Sequence, residues 1–271
     1  MLRSKPAGSS RATRGDGVRY AVTSFVGNDL VDFAADHNRG RVAQPRFLER
    51  VLTADERDRV ARDDAGDYAF ALLWSAKEAA YKAARKRDPA LVFAPRRWQV
   101  DVDSLAPGPG ERNGTVAIAP GTTVIVRWQQ GGGSQHGDAS QHDGAWQHGD
   151  GWLHCIALLG ASPGFVDEAV ARSIDVEAFG EFAERERAGF SCDESGAVRH
   201  LAKRLLHEHG IRGIEIVRNP DAHSGARRRA PPAVYAGENP LSGVDVSLSH
   251  DGGFVAAVIS AAGTVVPAMP A

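Results

Sequence analysis

Read for its apolar and polar positions, the chain runs twice through one plan. An apolar stretch over 21–32 precedes an amphipathic segment with Phe47, Leu48, Val51 and Leu52 on one face and Glu49, Arg50 and Asp55 on the other. A longer helix rich in Ala, Leu and Lys is predicted over 68–86. Alternation then predicts strands at 98–102, 115–118 and 123–128, and the apolar run 153–159 reads as a buried strand.

The second pass is shorter and keeps the order. An apolar opening at 170–174 leads to Phe182-Ala183-Glu184-Arg185, which echoes Phe47-Leu48-Glu49-Arg50. A helix over 196–209 carries Ala202-Lys203 where the first carries Ala76-Lys77. Strands at 213–217, 233–235 and 244–248 follow, and the apolar run 254–259 closes the chain. Helix and strand runs within each pass predict an α+β fold. The echo predicts an internal duplication, packed as a pseudo-dimer with twofold symmetry. The expected boundaries are a disordered tail at 1–19, a first copy at 20–160 and a second copy at 161–262.

Composition agrees and removes several classes. At 271 residues the chain holds about two domain units. Its 32 basic and 34 acidic residues give a net charge of −2, so no basic field points to nucleic acid. Cys155 and Cys192 are too few for a disulfide framework, and a reduced, cytoplasmic setting is expected. No apolar run approaches the ~18 residues of a membrane span. The basic tail (Arg3, Lys5, Arg11, Arg14, Arg19) lacks the apolar core of a secretory signal. The Gly- and His-rich stretch 129–151 repeats His136, His142 and His148 at even spacing, with His154 just beyond. It reads as a metal-scavenging tract or a solvated insertion, and the flexibility of its glycines favours the insertion.

Three stretches carry candidate chemistry. In Gly27-Asn28-Asp29-Leu30-Val31-Asp32 a carboxylate near the end of an apolar strand is either a turn-former or a ligand. In Trp74-Ser75-Ala76-Lys77-Glu78-Ala79-Ala80-Tyr81-Lys82, helical spacing puts Ser75, Glu78 and Lys82 on one face. Glu78 and Lys82 could equally form a surface ion pair. In Val246-Ser247-Leu248-Ser249-His250-Asp251-Gly252-Gly253, alternation puts Ser247 and Ser249 on one side, with His250 at the strand end as a ligand or a turn residue.

Together these three stretches resemble the 4′-phosphopantetheinyl transferase superfamily. Residues 26–32 with Arg46-Phe47-Leu48-Glu49-Arg50-Val51-Leu52-Thr53 are similar to holo-acyl-carrier-protein synthase in particular. The resemblance covers roughly 20–260 outside the insertion. It implies two copies of that family's α/β fold and transfer of the phosphopantetheine arm of coenzyme A to a serine of an acyl or peptidyl carrier protein. Adenosine 3′,5′-bisphosphate would be released. It further implies Mg²⁺ held by Asp29 and Glu78 with the pyrophosphate, an assignment that suits a hard cation. Lys77 and Lys82 would neutralise phosphate charge. Ser249 and His250 would contact coenzyme A phosphate, Arg187 and Arg199 the nucleotide 3′-phosphate, and Arg229-Ala230-Pro231 the adenine. The proton of the attacking serine could pass to Glu78, a metal-bound water or Lys82; Glu78 is preferred, with Lys82 stabilising charge.

The chain departs from the family in where its motifs lie. Asp29 and Glu78 belong to the first copy, while a usable Ser249-His250 lies in the second. Where the second copy should repeat Lys77-Glu78 it has Lys203-Arg204, and arginine cannot hold Mg²⁺. One site between the copies is therefore expected, in a monomer. Arg39, Arg41, Arg46, Arg50, Arg57 and Arg59 form either a docking face for an acidic carrier or a solvated helix face. The rival reading is a non-catalytic relative that binds coenzyme A or a carrier.

Overall fold

The computed structural model describes residues 24–103, 105, 110–131, 151–160, 164–219 and 230–261. The predicted tail at 1–19 and most of the predicted insertion lie outside them. Gln129, Gln130 and Gly131, assigned above to the insertion, instead continue a strand.

The chain is an α+β protein with antiparallel sheets. Strand β1 (Ser24–Asp32) is followed by three helices, α1 (Pro45–Val51), α2 (Ala54–Ala61) and α3 (Gly66–Arg87). Strands β2 (Gln99–Val102), β3 (Arg112–Ala119), β4 (Thr122–Gly131) and β5 (Trp152–Gly160) complete a five-stranded sheet of order β1-β5-β4-β3-β2. Helix α3 lies on one face of it. Its buried stripe of Ala69, Ala76, Ala79, Ala80 and Ala83 keeps the helix surface low, so backbone can approach backbone. At the closest point Gly27 sits beneath Ala79, and a Cβ there would overlap the Ala79 carbonyl. Arg85, Lys86 and Arg87 occupy the last turn, where they complement the helix dipole.

The second half has strand β6 (Phe165–Arg172), helices α4 (Glu184–Arg187) and α5 (Asp193–Glu208), then β7 (Ile214–Val217), β8 (Ala233–Ala236), β9 (Asn239–Pro240), β10 (Val244–Asp251) and β11 (Phe254–Ala261). The strands form two sheets, β10-β11-β6 and β7-β8-β9. The predicted opening at 170–174 is displaced: the strand begins earlier, and Ser173–Asp175 is a single turn of 3-10 helix. Where β3 and β4 pair in the first half, β8 and β10 stay unpaired.

The core of each half lies between its helix and its sheet. Two smaller apolar clusters join the halves: Val26 and Ile156 with Val258, and Leu30 with Phe254 and Ala256. Every second residue of β1 therefore faces the other half, and the intervening ones face α3.

One buried arrangement occurs in both halves. Glu56 accepts from Thr53 N–H at 2.8 Å, from Val100 N–H at 2.9 Å and from Lys77 Nζ at 2.5 Å. Glu186 accepts from Ala183 N–H at 3.0 Å, Ile216 N–H at 2.8 Å and Lys203 Nζ at 2.8 Å. These bonds match Lys203 to Lys77, as the sequence echo does. They match Glu186 to Glu56, whereas the echo aligns Phe182-Ala183-Glu184-Arg185 with Phe47-Leu48-Glu49-Arg50.

Candidate active site

Asp29 lies on the β1 face that meets α3, and Lys82 reaches it from four turns along the helix. Its Nζ is 2.9 Å from Asp29 Oδ1, 2.8 Å from the Asn28 carbonyl and 3.4 Å from Ser249 Oγ. Lys82 is thus paired with Asp29, not with Glu78 as the helical spacing allowed. Glu78 sits one turn earlier, half-buried, where burial and the nearby charge of Asp29 raise its carboxyl to about 7, against the opposing pull of Lys82. Burial also raises the Asp29 carboxyl; Lys82 counteracts this and Asp251 adds to it.

The second half forms the opposite wall. Asp29 and Lys82 line a cavity of about 230 Å³ with Ser195, Arg199, Arg218, Ser249 and His250. A neighbouring cavity of about 190 Å³ shares Lys82, Arg218 and Leu248 and adds Glu78, Arg85, Lys86, Ala230 and Pro231. The two are one cleft between the halves, flanking Lys82. Its cations outnumber its carboxylates, as binding a polyanion requires. Partial burial lowers the His250 imidazole, the Glu194 carboxylate pulling the other way, so at neutral pH His250 acts as a neutral hydrogen-bonding group.

Other expected site residues lie elsewhere. Lys77 is completely buried and donates to Glu56, the Val51 carbonyl and the Pro95 carbonyl, so the expected phosphate contact is corrected to a structural one. Arg187 is exposed on α4 and does not line the cleft. Arg229 lies outside the described residues, next to Ala230 and Pro231, which do line it. Ser75 is buried and bonded to the Leu72 carbonyl and the Trp128 indole, away from its predicted neighbours. Asp32 accepts from the N–H groups of Ala34 and Gly253, which ties it to the β10–β11 turn. His154 is a buried β5 residue whose Nε2 lies 3.2 Å from Asn28 Nδ2, separate from the periodic histidines.

Arg218, Ser195 and Lys86 were missed by sequence reasoning. Arg218 and Ser195 stand outside any motif, and Lys86 reads as an ordinary last-turn cation of the long helix, so none carries a local signal for a cleft. Among the described residues, no three His, Cys, Asp or Glu side chains converge as a metal site. Asp29 and Glu78 are a pair of hard oxygen donors whose raised carboxyls a cation would relieve.

The family model of the 4′-phosphopantetheinyl transferase superfamily matches residues 25–115. The match covers about a third of the chain, and over it the sequence is similar to a domain of that superfamily. The matched superfamily domain contains Asp29, Lys77, Glu78 and Lys82, and its family implies a transferase that uses coenzyme A. The match ends well before the expected limit near 260, so Arg199, Arg218, Ser249 and His250 lie beyond it. No curated protein matches the chain. No helix among the described residues is long and apolar enough to cross a membrane.

Proposed function

We propose that the chain transfers the 4′-phosphopantetheine moiety of coenzyme A to a serine of an acyl or peptidyl carrier protein, as a holo-carrier-protein synthase. The observation that carries this reading is the cleft itself. The carboxylates of the superfamily domain face Ser249, His250, Arg199 and Arg218 of the second half across Lys82.

In this reading the carrier's serine oxygen bonds to the phosphorus bearing pantetheine. The bond from that phosphorus to the bridging oxygen breaks, and adenosine 3′,5′-bisphosphate leaves. Glu78 takes the serine proton, directly or through water. Lys82, Arg199 and Arg218 hold the pyrophosphate and offset its charge, and His250 donates a neutral hydrogen bond. Asp29 and Glu78 would hold Mg²⁺, which when bound neutralises pyrophosphate charge and fixes the oxygens around it.

We infer further that the two halves are tandem copies forming a monomeric pseudo-dimer. The support is the recurrence of the buried Glu–Lys arrangement and of strand order: β6-β11-β10 repeats β1-β5-β4. The carrier's docking face is proposed on α1, where Arg46 and Arg50 are exposed. Arg57 and Arg59 instead donate to the carbonyls of Leu52 and Val102. A cytoplasmic setting is part of the same proposal, and both described cysteines are free thiols.

The deciding experiment incubates the purified chain with coenzyme A, Mg²⁺ and a panel of apo carrier domains, read by intact mass. Addition of the phosphopantetheine mass to a carrier is the expected result. No addition on any carrier, with coenzyme A still bound, would replace this reading with a non-catalytic binder.

A further inference from the structure

Strand β1 ends its sheet, with β5 as its single hydrogen-bonded neighbour. Alternate N–H and C=O groups along its free edge therefore need partners from outside the sheet. Side chains of β10 meet the N–H groups at a constant separation of 219 residues. Asp245 Oδ2 accepts from Val26 N–H at 2.7 Å, Ser247 Oγ from Asn28 N–H at 3.0 Å and Asp251 Oδ2 from Asp32 N–H at 2.8 Å. The carbonyls of the same residues accept from Lys86 at 2.7 Å, Lys82 at 2.8 Å and Asn38 at 2.8 Å.

The same separation sets Ser249 beside Leu30, and here the pattern breaks. Among the described residues, no side chain of β10 accepts from Leu30 N–H, which instead lies near the Asp29 carboxylate and helps to hold its pKa down. Ser249 Oγ is left 3.5 Å from Asp29 Oδ1 and 3.4 Å from Lys82 Nζ, on the cleft wall. Three polar side chains of β10 cap N–H groups of the strand edge, Ser247 while also bordering the smaller cavity, and the fourth, Ser249, caps none and lines the larger one.

We propose that Asp245, Ser247 and Asp251 are positioning residues that set the register of β10 against β1 and thereby present Ser249 and His250 to coenzyme A opposite Asp29. The inference rests on the transferase reading of the cleft. Its physical basis is the period of a strand: a slip of one residue would turn Ser249 into the core and set the Leu248 side chain against the β1 edge.

The test compares Ser247→Ala, Ser249→Ala, Asp251→Ala and Asp251→Asn in the full chain. Two readouts are taken: amide exchange of Asn28 and Asp32 by NMR, and the KM values for coenzyme A and carrier. In Ser247→Ala, Asn28 exchange should rise about tenfold or more. In Asp251→Ala, whose side chain lines neither cavity, the KM for coenzyme A should rise about tenfold with the carrier KM unchanged. Ser249→Ala should raise the coenzyme A KM without altering Asn28 exchange. Asp251→Asn, which keeps an acceptor, should restore what Asp251→Ala loses, including Asp32 protection. Unchanged Asn28 exchange in Ser247→Ala, or a lower kcat at unchanged KM in Asp251→Ala, would overturn the proposal. If the wild-type chain binds no coenzyme A by calorimetry, the transferase reading falls, and with it the link to ligand. The exchange data then still judge the register assignment alone.

Discussion

Lys77 and Glu78 are consecutive on α3 and face opposite environments. Lys77 ends in the interior against Glu56 at 2.5 Å, and Glu78 borders the cleft between the halves. The ~100° turn between successive helical residues makes this possible. It also makes one residue of the pair a structural anchor for the other: the anchored helix brings Glu78 and Lys82 towards Asp29.

Removing the Lys77 ammonium should therefore act on stability. Lys77→Met leaves Glu56 charged and buried without its cation, at a cost of about 3–5 kcal/mol. Thermal unfolding should show a lowered Tm. A normal Tm with a raised KM for coenzyme A would return Lys77 to phosphate binding.

Glu78 should make stability depend on pH. Its folded value of about 7 lies above the ordinary 4.5. Between those values the folded state binds more protons than the unfolded one. The stabilisation is complete below about 4.5 and is lost as pH rises through 7. Glu78→Gln should raise Tm relative to wild type at pH 8 without divalent cation, with the difference vanishing near pH 4.5. The same variant should abolish turnover. Equal Tm curves across that range would remove the buried charge from the account.

His154 predicts a second, acid-side dependence. Burial, with Lys82 and Arg127 adding to it, lowers its imidazole from 6.5 to about 3. The unfolded chain takes up a proton there that the folded chain refuses. Stability should be full above about 6.5 and fall as pH drops towards 3. His154→Leu should flatten this acid limb in denaturant titrations, and an unchanged limb would place its origin elsewhere.

Gly27→Ala should separate the two carboxylates. The added methyl would overlap the Ala79 carbonyl, which is helix backbone and cannot rotate away. A cost of about 1–3 kcal/mol is expected from such overpacking. Activity should fall further than the folded fraction does, because α3 carries Glu78 and Lys82 away from Asp29. Full activity per folded molecule would mean that the close approach does not position the site.

Much of the fold was legible because its elements are strongly periodic. The long helix, observed as Gly66–Arg87, and strands β2 and β4 repeat at 3.6 or 2 residues, and β5 and β11 stand out as continuous apolar runs. The errors have a common physical origin. Ser75 reads as a neighbour of Glu78 because spacing reports a shared face, but a packed indole from Trp128 covers that part of the face. Asp32 reads as a possible ligand because a carboxylate at a strand end is chemically ambiguous, and a turn 221 residues away claims it.

The sequence by itself determined the α+β class, the positions of most elements and the residue chemistry now found around one cleft: Asp29, Glu78, Lys82, Ser249 and His250. These follow from local periodicity and from residue type. Only the tertiary structure decided that Lys77 is an anchor, that His154 is a core residue, and that Ser247 caps the β1 edge while Ser249 does not. For Lys77, His154 and Ser247 the decision rests on a partner distant in the chain, Glu56, Asn28 and the Asn28 N–H respectively. Periodicity says which residues share a face, and packing alone says what that face meets.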